Sequence, residues 1–290
     1  MPRSPKRARP TGSSLEPLVA QIDARIAGQK ALDTIPTGYA SLDRMLGGGL
    51  RRQDLVVLGG DVGSGKSALA LGLALRATAA GHPAMFLSGE MSSDRVLERA
   101  LAIEGRASID ELRLGQLDDA GRSRVAAAAI RMRDLPLMVR PLTGTAPGEI
   151  DSALEVVPPR QLVVVDSLQL VASPGEAGRL EERTALSVRA LKSLAIERNI
   201  ALVATSQLSD HRAERPDPRP TLADFGGLGT IRQQSDLVLM IFREEMYRPG
   251  QGVEGATELI LAKNRNGPTG FVDLFFYPQW LRFVDMLDPD

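Results

Sequence analysis

One short segment of the sequence combines glycines with a lysine in a spacing that can bind phosphate. Residues 60–67 read GDVGSGKS and fit the pattern G-x-x-x-x-G-K-[ST]. Glycines in such a loop let backbone N–H groups turn toward phosphate oxygens, Lys66 can reach the outer phosphates, and the Ser67 hydroxyl can ligate Mg²⁺. A glycine-rich turn with a chance lysine is the alternative, but the flanking residues favour a phosphate loop. The candidate nucleotide-binding residues are Gly60, Asp61, Val62, Gly63, Ser64, Gly65, Lys66 and Ser67.

Three polar residues that follow apolar runs are candidates for chemistry at those phosphates. Glu90 follows the run 84–88, and Asp166 ends a second run about 100 residues after the glycine loop. A carboxylate just past a strand lies at the edge where open α/β sheets bind ligands. Glu90 can orient or deprotonate a water molecule, or it is only a charge facing a helix N-terminus. Asp166 is placed to hold the Mg²⁺ shell. Gln207 follows a third run and either senses a γ-phosphate or caps a loop.

The segments around these candidates predict the elements that must position them. Residues 55–58 are apolar and mostly β-branched or leucine, which predicts a buried strand, and residues 68–80 predict a helix that ends at Gly81. Strands then alternate with helices, and a run of strands follows near the C-terminus. This order predicts an α/β fold with a mainly parallel sheet, flanking helices and a C-terminal antiparallel extension. Residues 263–270 are expected to connect the last two strands as a hairpin tip.

Composition excludes several functional classes. The chain has 290 residues, 43% of them hydrophobic, and a mean hydropathy of −0.08. Its apolar runs are shorter than the ~20 residues that a membrane span needs. There is no cysteine, which excludes disulfides, thiol catalysis and cysteine zinc sites, and which fits a cytoplasmic protein. Because the net charge is −1, affinity for nucleic acid must come from local basic patches.

The N-terminal part of the chain divides into two segments before the main domain. Residues 1–13 predict a disordered basic tail, which is either only solvated or contacts phosphates; its cations are Arg3, Lys6, Arg7 and Arg9. Residues 14–33 predict an amphipathic linker helix capped by Ser14. That helix folds back on its own domain or docks on a neighbouring subunit, and the sequence leaves both open. The main domain is predicted to span residues 34–290.

Six segments together carry a resemblance to a known family: the glycine loop, SGEMSSDRVLERALA, VVVDSLQLV, ATSQLS, IRQQSDLVLMIFREEMY and AKNRNGPTG. In this order they resemble the C-terminal ATPase domain of DnaB-type replicative helicases, over about residues 34–284. The resemblance implies a RecA-like P-loop NTPase fold with ATP and Mg²⁺ as cofactors. It also implies a hexameric ring of identical subunits that moves on single-stranded DNA. The family's primase-binding collar domain has no counterpart in this sequence, and other replication proteins stay candidate partners.

The resemblance further implies roles for seven residues. Five of them act in the subunit's own site, where they bind the phosphates, the Mg²⁺ or the attacking water. These five are Lys66, Ser67, Glu90, Asp166 and Gln207. Lys263 and Arg265 match hairpin residues that reach the nucleotide of the neighbouring subunit.

The region that corresponds to the family's DNA-contacting loop departs from the family pattern. It reads DFGGLG and lacks the usual arginine, so the expected DNA contacts are Gly226, Gly227, Gly229 and Arg232. Further positive charge is expected from the loop 209–220 through Arg212, Arg215 and Arg219.

Two other functions stay open on the sequence alone. One is a RadA-like recombination ATPase, because LGGGL, GGDVGSGKS and SGE resemble that family too. The other is an ATP switch similar to KaiC that acts on protein partners.

Overall fold

The computed structural model describes residues 11–28, 34–142, 147–155, 161–171, 180–208, 215–225, 229–250 and 252–287. Its contacts divide the chain into residues 1–33 and residues 34–290. Residues 11–28, the described part of the first unit, contain the helix Thr11–Ile26. The prediction that Ser14 caps this helix is wrong, because the helix begins three residues earlier. Residues 11–13, expected to be disordered, are therefore helical, and the four cations of the tail lie outside the described residues.

A nine-stranded sheet forms the centre of the second unit. Its strands are β3 (Leu55–Gly60), β4 (Ala84–Ser88), β5 (Leu137–Pro141), β6 (Leu162–Asp166), β7 (Ala201–Gln207), β8 (Leu237–Phe242), β9 (Ala256–Asn264), β10 (Gly270–Tyr277) and β11 (Arg282–Asp285). Strands β1 (Thr34–Ile35) and β2 (Leu50–Arg51) form a separate antiparallel pair. The large sheet has the order β11-β10-β9-β8-β3-β7-β6-β4-β5. The neighbours from β8 to β5 pair in parallel, and the other three pairs are antiparallel. The predicted antiparallel extension is thus confirmed.

Helices flank the sheet of the second unit. They are α2 (Ala40–Leu46), α3 (Lys66–Ala79), α4 (Ser93–Gly105), α5 (Ile109–Leu114), α6 (Asp119–Arg133), α7 (Pro147–Glu155), α8 (Leu168–Val171), α9 (Leu180–Arg198) and α10 (Thr230–Gln234), and the helix of the first unit is numbered α1. Among the described residues, no helix is long and apolar enough to cross a membrane.

Both faces of the sheet are buried, and this explains why its central strands begin with unbroken runs of apolar residues. Val56 and Leu58 of β3 point into one core cluster, together with side chains of α3. Leu55 and Val57 point into the opposite cluster, together with side chains of α9. The alternation of side chains along a strand therefore ties both helical layers to the strand that precedes the glycine loop.

The structure differs from the sequence-based prediction at several short elements and at the hairpin. The elements that were not predicted are helices α5, α8 and α10 and strands β1, β2 and β11, since segments of two to six residues carry little periodic signal. Strand β9 continues to Asn264, so Lys263 belongs to the strand and only residues 265–269 form the turn to β10. The expectation that Lys263 lies in the hairpin tip is therefore wrong.

Candidate nucleotide-binding site

The glycine loop joins β3 to α3 as the motif requires. Gly65 has φ +98°, and a Cβ atom there would lie 2.8 Å from the Phe283 ring, so both the backbone conformation and the space disfavour a side chain at this position. The Lys66 ammonium donates to the carbonyl oxygens of Gly60 at 3.0 Å and of Asp61 at 2.7 Å. Burial lowers the pKa of Lys66, while the charges of Glu90 and Asp166 oppose that shift.

The end of β6 lies directly beside the first turn of α3. Asp166 is 1% exposed, and its Oδ1 accepts hydrogen bonds from the Ser67 hydroxyl at 3.1 Å and from the Thr205 hydroxyl at 2.6 Å. Its Oδ2 is buried and has no hydrogen-bond partner among the described residues. Burial raises the pKa of Asp166, and the two hydroxyl donors oppose this shift. A hydroxyl and a carboxylate oxygen are hard ligands, so this pair fits Mg²⁺.

The ends of β4 and β6 hold Glu90 near this pair. The Gly89 N–H donates to the Asp166 carbonyl oxygen at 2.7 Å, and the Ser167 hydroxyl donates to Glu90 Oε1 at 3.1 Å. The Ser88 hydroxyl oxygen accepts from the Met91 N–H at 3.0 Å, which fixes the turn after the strand. Glu90 is therefore held by the same strand end that supplies Asp166.

A cavity of about 660 Å³ brings the candidates together. Its lining includes all five residues that were expected to act in the subunit's own site: Lys66, Ser67, Glu90, Asp166 and Gln207. Phe276, Pro278 and Leu281 also line it and give it an apolar wall. Such a combination of polar groups and an apolar wall is typical of small-molecule sites.

Two arginines line the same cavity and were missed in the sequence. Arg243 donates to the Gly63 carbonyl oxygen at 3.2 Å, pairs with Glu245, and lies 4.5 Å from the centre of the Phe276 ring. Arg99 lies on α4, nine positions after Glu90, and burial lowers its pKa. A lone arginine in a helix or after a strand gives no signal of its own, so only the tertiary structure places these two residues.

Lys263 and Arg265 do not line this cavity. The Lys263 ammonium donates to the carbonyl oxygens of Arg232 at 2.6 Å and of Ser235 at 2.5 Å, at the end of α10. The Arg265 guanidinium pairs with Asp236 at 2.9 Å. The pKa of Lys263 is lowered, first by burial and then by the charge of Arg265.

The candidate DNA-contacting residues are only partly described. Gly226, Gly227 and Arg212 lie outside the described residues. Gly229 has φ +72° at the start of α10, and the Arg232 side chain on that helix is exposed.

Two of the cations expected beside the DNA are engaged within the chain. Arg215 pairs with Asp224 at 2.7 Å, and Arg219 pairs with Glu258 at 2.5 Å. Their charges are therefore partly neutralised.

A mainly parallel sheet, a phosphate loop before α3, and carboxylates at the neighbouring strand ends define a RecA-like P-loop protein. The family model described as "DnaB-like helicase C terminal domain" matches residues 34–285. The chain belongs to this family. The family match favours the DnaB-type expectation over the RadA-like and KaiC-like alternatives.

Two curated relatives are named replicative DNA helicase DnaB. The protein from Leifsonia xyli subsp. xyli is 32% identical over 273 residues, which cover 92% of this chain and 59% of the relative. The protein from Geobacillus stearothermophilus is 33% identical over 270 residues, which cover 87% of this chain and 56% of the relative. The chain therefore spans well under two thirds of the length of either relative.

Solved structures share the fold. A structure whose title describes it as an ATPase domain superposes with a TM-score of 0.86 at 24% identity and covers 96% of this chain and 100% of its own. A second, titled "The Structure Of A DnaB-Like Replicative Helicase And Its Interactions With Primase", has a TM-score of 0.84 at 23% identity, with 97% of this chain and 68% of its own covered. This likeness confirms the RecA-like architecture.

Proposed function

We propose that the chain is an ATP-hydrolysing motor subunit that works on single-stranded DNA within a ring of identical subunits, as a replicative helicase does. One observation carries the proposal: five polar residues from four separate segments of the chain line one cavity beside a phosphate loop. A cation, a hydroxyl, two carboxylates and an amide in that arrangement are the groups that phosphoryl transfer needs. The relatives named replicative DNA helicase support the choice of substrate.

The proposed chemistry assigns one task to each side chain. Lys66 and the loop N–H groups bind the β- and γ-phosphates, and Ser67 and Asp166 would hold Mg²⁺, which neutralises phosphate charge when bound. Glu90 accepts a proton from the water molecule that attacks the γ-phosphorus. As the new P–O bond forms, the bond to the bridging oxygen breaks and ADP leaves. Gln207, at the end of β7, is the amide that contacts the γ-phosphate.

The apolar wall of the cavity supports a nucleoside triphosphate as the substrate. Pro278 and Leu281 offer apolar surface against which a nucleobase can pack, while the Phe276 ring behind them is buried between the Arg243 guanidinium and the Phe283 ring. We assign the nucleobase of ATP to this apolar wall and its phosphates to the glycine loop.

The assembly and the DNA contact are further parts of the proposal. Lys263 and Arg265 lie outside the cavity of their own subunit, which is compatible with action on the nucleotide of a neighbour. We assign the DNA contact to the loop around Gly226, Gly227 and Gly229 and to Arg232. Glycine N–H groups that contact phosphates carry no sequence information, so binding should be sequence-independent.

The test is ATP hydrolysis by Glu90→Gln, measured with and without single-stranded DNA. Hydrolysis should fall at least ~100-fold, because loss of a general base costs roughly this much, while ATP binding is retained. Lys66→Ala should instead weaken nucleotide binding. Near wild-type turnover by Glu90→Gln would remove that residue from the catalytic role.

Strand displacement with simultaneous measurement of ATP turnover tests the motor. Single-stranded DNA should raise turnover, and a duplex with a single-stranded tail should be opened. If the protein binds no single strand at low salt with a non-hydrolysable nucleotide, the motor proposal fails. A ring ATPase that acts on protein partners would then be the better account.

A further inference from the structure

We propose that Ser167 is a positioning residue for ATP hydrolysis, because its hydroxyl holds the Glu90 carboxylate against the strand end that carries the metal-binding Asp166. This inference rests on the proposed role of Glu90 as the base. Nothing in the sequence pattern singles out this serine, since it lies one position after the motif carboxylate.

The contact engages one oxygen of the base. The Ser167 hydroxyl donates to Glu90 Oε1 at 3.1 Å, and Ser167 itself is 6% exposed. A serine hydroxyl has one proton to donate, and here the carboxylate receives it. One oxygen of Glu90 is thereby fixed, while the other stays available to accept a proton from water.

Backbone contacts explain why such a restraint matters. The Gly89 N–H donates to the Asp166 carbonyl oxygen at 2.7 Å, and a Cβ atom on Gly89 would lie 2.7 Å from Leu170 Cδ1. The main chains of the two strand ends are therefore joined directly before Glu90. The Glu90 side chain has several rotatable bonds beyond this point and lies in an exposed turn. The bond from Ser167 extends the connection from the backbone to the carboxylate.

Ser167 lines the cavity, so water can enter the place of its hydroxyl, but a water molecule has no covalent attachment to the end of β6 and cannot fix the carboxylate as the serine does. Ser167→Ala therefore removes a donor from Glu90 Oε1 and leaves the base free to rotate away from the water molecule. A displacement of about 1 Å of a reacting group can cost ~100-fold in rate, so the expected effect is on the chemical step.

The first measurement compares the steady-state kinetics of Ser167→Ala and Ser167→Thr in the full chain. We expect kcat of the alanine variant to fall at least ~10-fold with KM within ~3-fold, because the base is misplaced for the chemical step while the proposed phosphate-binding groups are unchanged. The threonine variant keeps a hydroxyl and should retain most of the activity. Ser167→Cys, a weak donor of similar size, should resemble alanine and serves if the alanine variant does not fold.

A matched control removes another buried hydroxyl far from the site. Thr78 is 2% exposed and donates to the Ala74 and Leu75 carbonyl oxygens of its own helix at 3.0 and 2.8 Å. Thr78→Val should leave kcat unchanged at a temperature where the variant is folded. A loss equal to that of Ser167→Ala would assign the effect to stability and overturn the inference.

The second measurement repeats the serine substitution in the Glu90→Gln background. A residue that acts through the base should change the residual kcat there by less than ~2-fold. If Ser167→Ala lowers kcat by the same factor in the wild type and in Glu90→Gln, the positioning role is overturned. It is also overturned if Ser167→Ala has the kcat of the wild type while Glu90→Gln is inactive. Full activity of Glu90→Gln alone would instead remove Glu90 from the proposed role of base, so the two failures are distinguishable.

Discussion

Asp54, the residue before β3, is a point at which pH should act on the stability of the fold. Its pKa is raised from 3.8 to about 6, first by burial and then by the negative charge of Asp236. Lys192, which pairs with Asp236 at 2.6 Å, opposes the shift, and so does the Asn266 amide, which donates to Asp54 at 3.1 Å. The folded protein therefore binds a proton at Asp54 more tightly than the unfolded chain does.

The sign and size of the effect follow from these two pKa values. The stabilisation is fully present below pH 3.8 and is lost as the pH rises through about 6. The difference of about 2.2 corresponds to about 3 kcal/mol at ~1.36 kcal/mol per pKa unit, and partial exposure to solvent reduces this to about 1–2 kcal/mol. Asp54→Asn removes the charge and keeps an oxygen that can accept from Asn266. The variant should be more stable than the wild type at pH 8 by about 1–2 kcal/mol, and this gain should shrink toward pH 4.

The free energy of unfolding of the wild type and of Asp54→Asn is measured by urea unfolding, followed by circular dichroism. The measurements run from pH 4.5 to pH 8 in steps of about half a pH unit. Asp151→Asn is the matched control with the opposite sign. A hydrogen bond from Arg198, at 2.5 Å, lowers the pKa of Asp151, so its removal should destabilise the protein at pH 8 and less at acidic pH. Parallel stability curves for the wild type and Asp54→Asn would refute the reasoning.

Two further predictions concern the assembly and the DNA. Arg265→Ala and Glu90→Gln subunits, each inactive alone, should regain ATPase activity when they are mixed. A ring that contains both variants has some interfaces where an intact Glu90 faces an intact Arg265. Full activity of a dilute monomer would contradict this. Binding to single strands should weaken with salt at a slope of about −0.7 per neutralised phosphate, and Arg232→Ala should make that slope less steep by about 0.7. An unchanged slope would remove Arg232 from the DNA contact.

Local pattern alone was enough to locate the phosphate loop and most of the sheet. A buried parallel strand is apolar at successive positions. The runs that form β3, β4, β6 and β8 could therefore be recognised as strands without knowing which strands they pair with. Because parallel strands end at the same edge of a sheet, Glu90, Asp166 and Gln207 could be expected there together, and all three line the cavity.

Contacts between distant segments were decided only by the tertiary structure. Thr205 donates to Asp166 across two neighbouring strands, and the Phe283 ring of the short strand β11 packs against the glycine loop. Arg243 reaches Gly63 across 180 positions of sequence. None of these residues has a local pattern that marks it, since each depends on which strands become neighbours.

The pKa of Asp54 is a property that only the tertiary structure decides. In the sequence Asp54 is an ordinary carboxyl group, and its raised pKa arises from burial and from Asp236, which is 182 positions away. Desolvation and charge–charge interaction depend on distance in space and on the exclusion of water. Sequence spacing sets neither of these, so only the folded chain decides them.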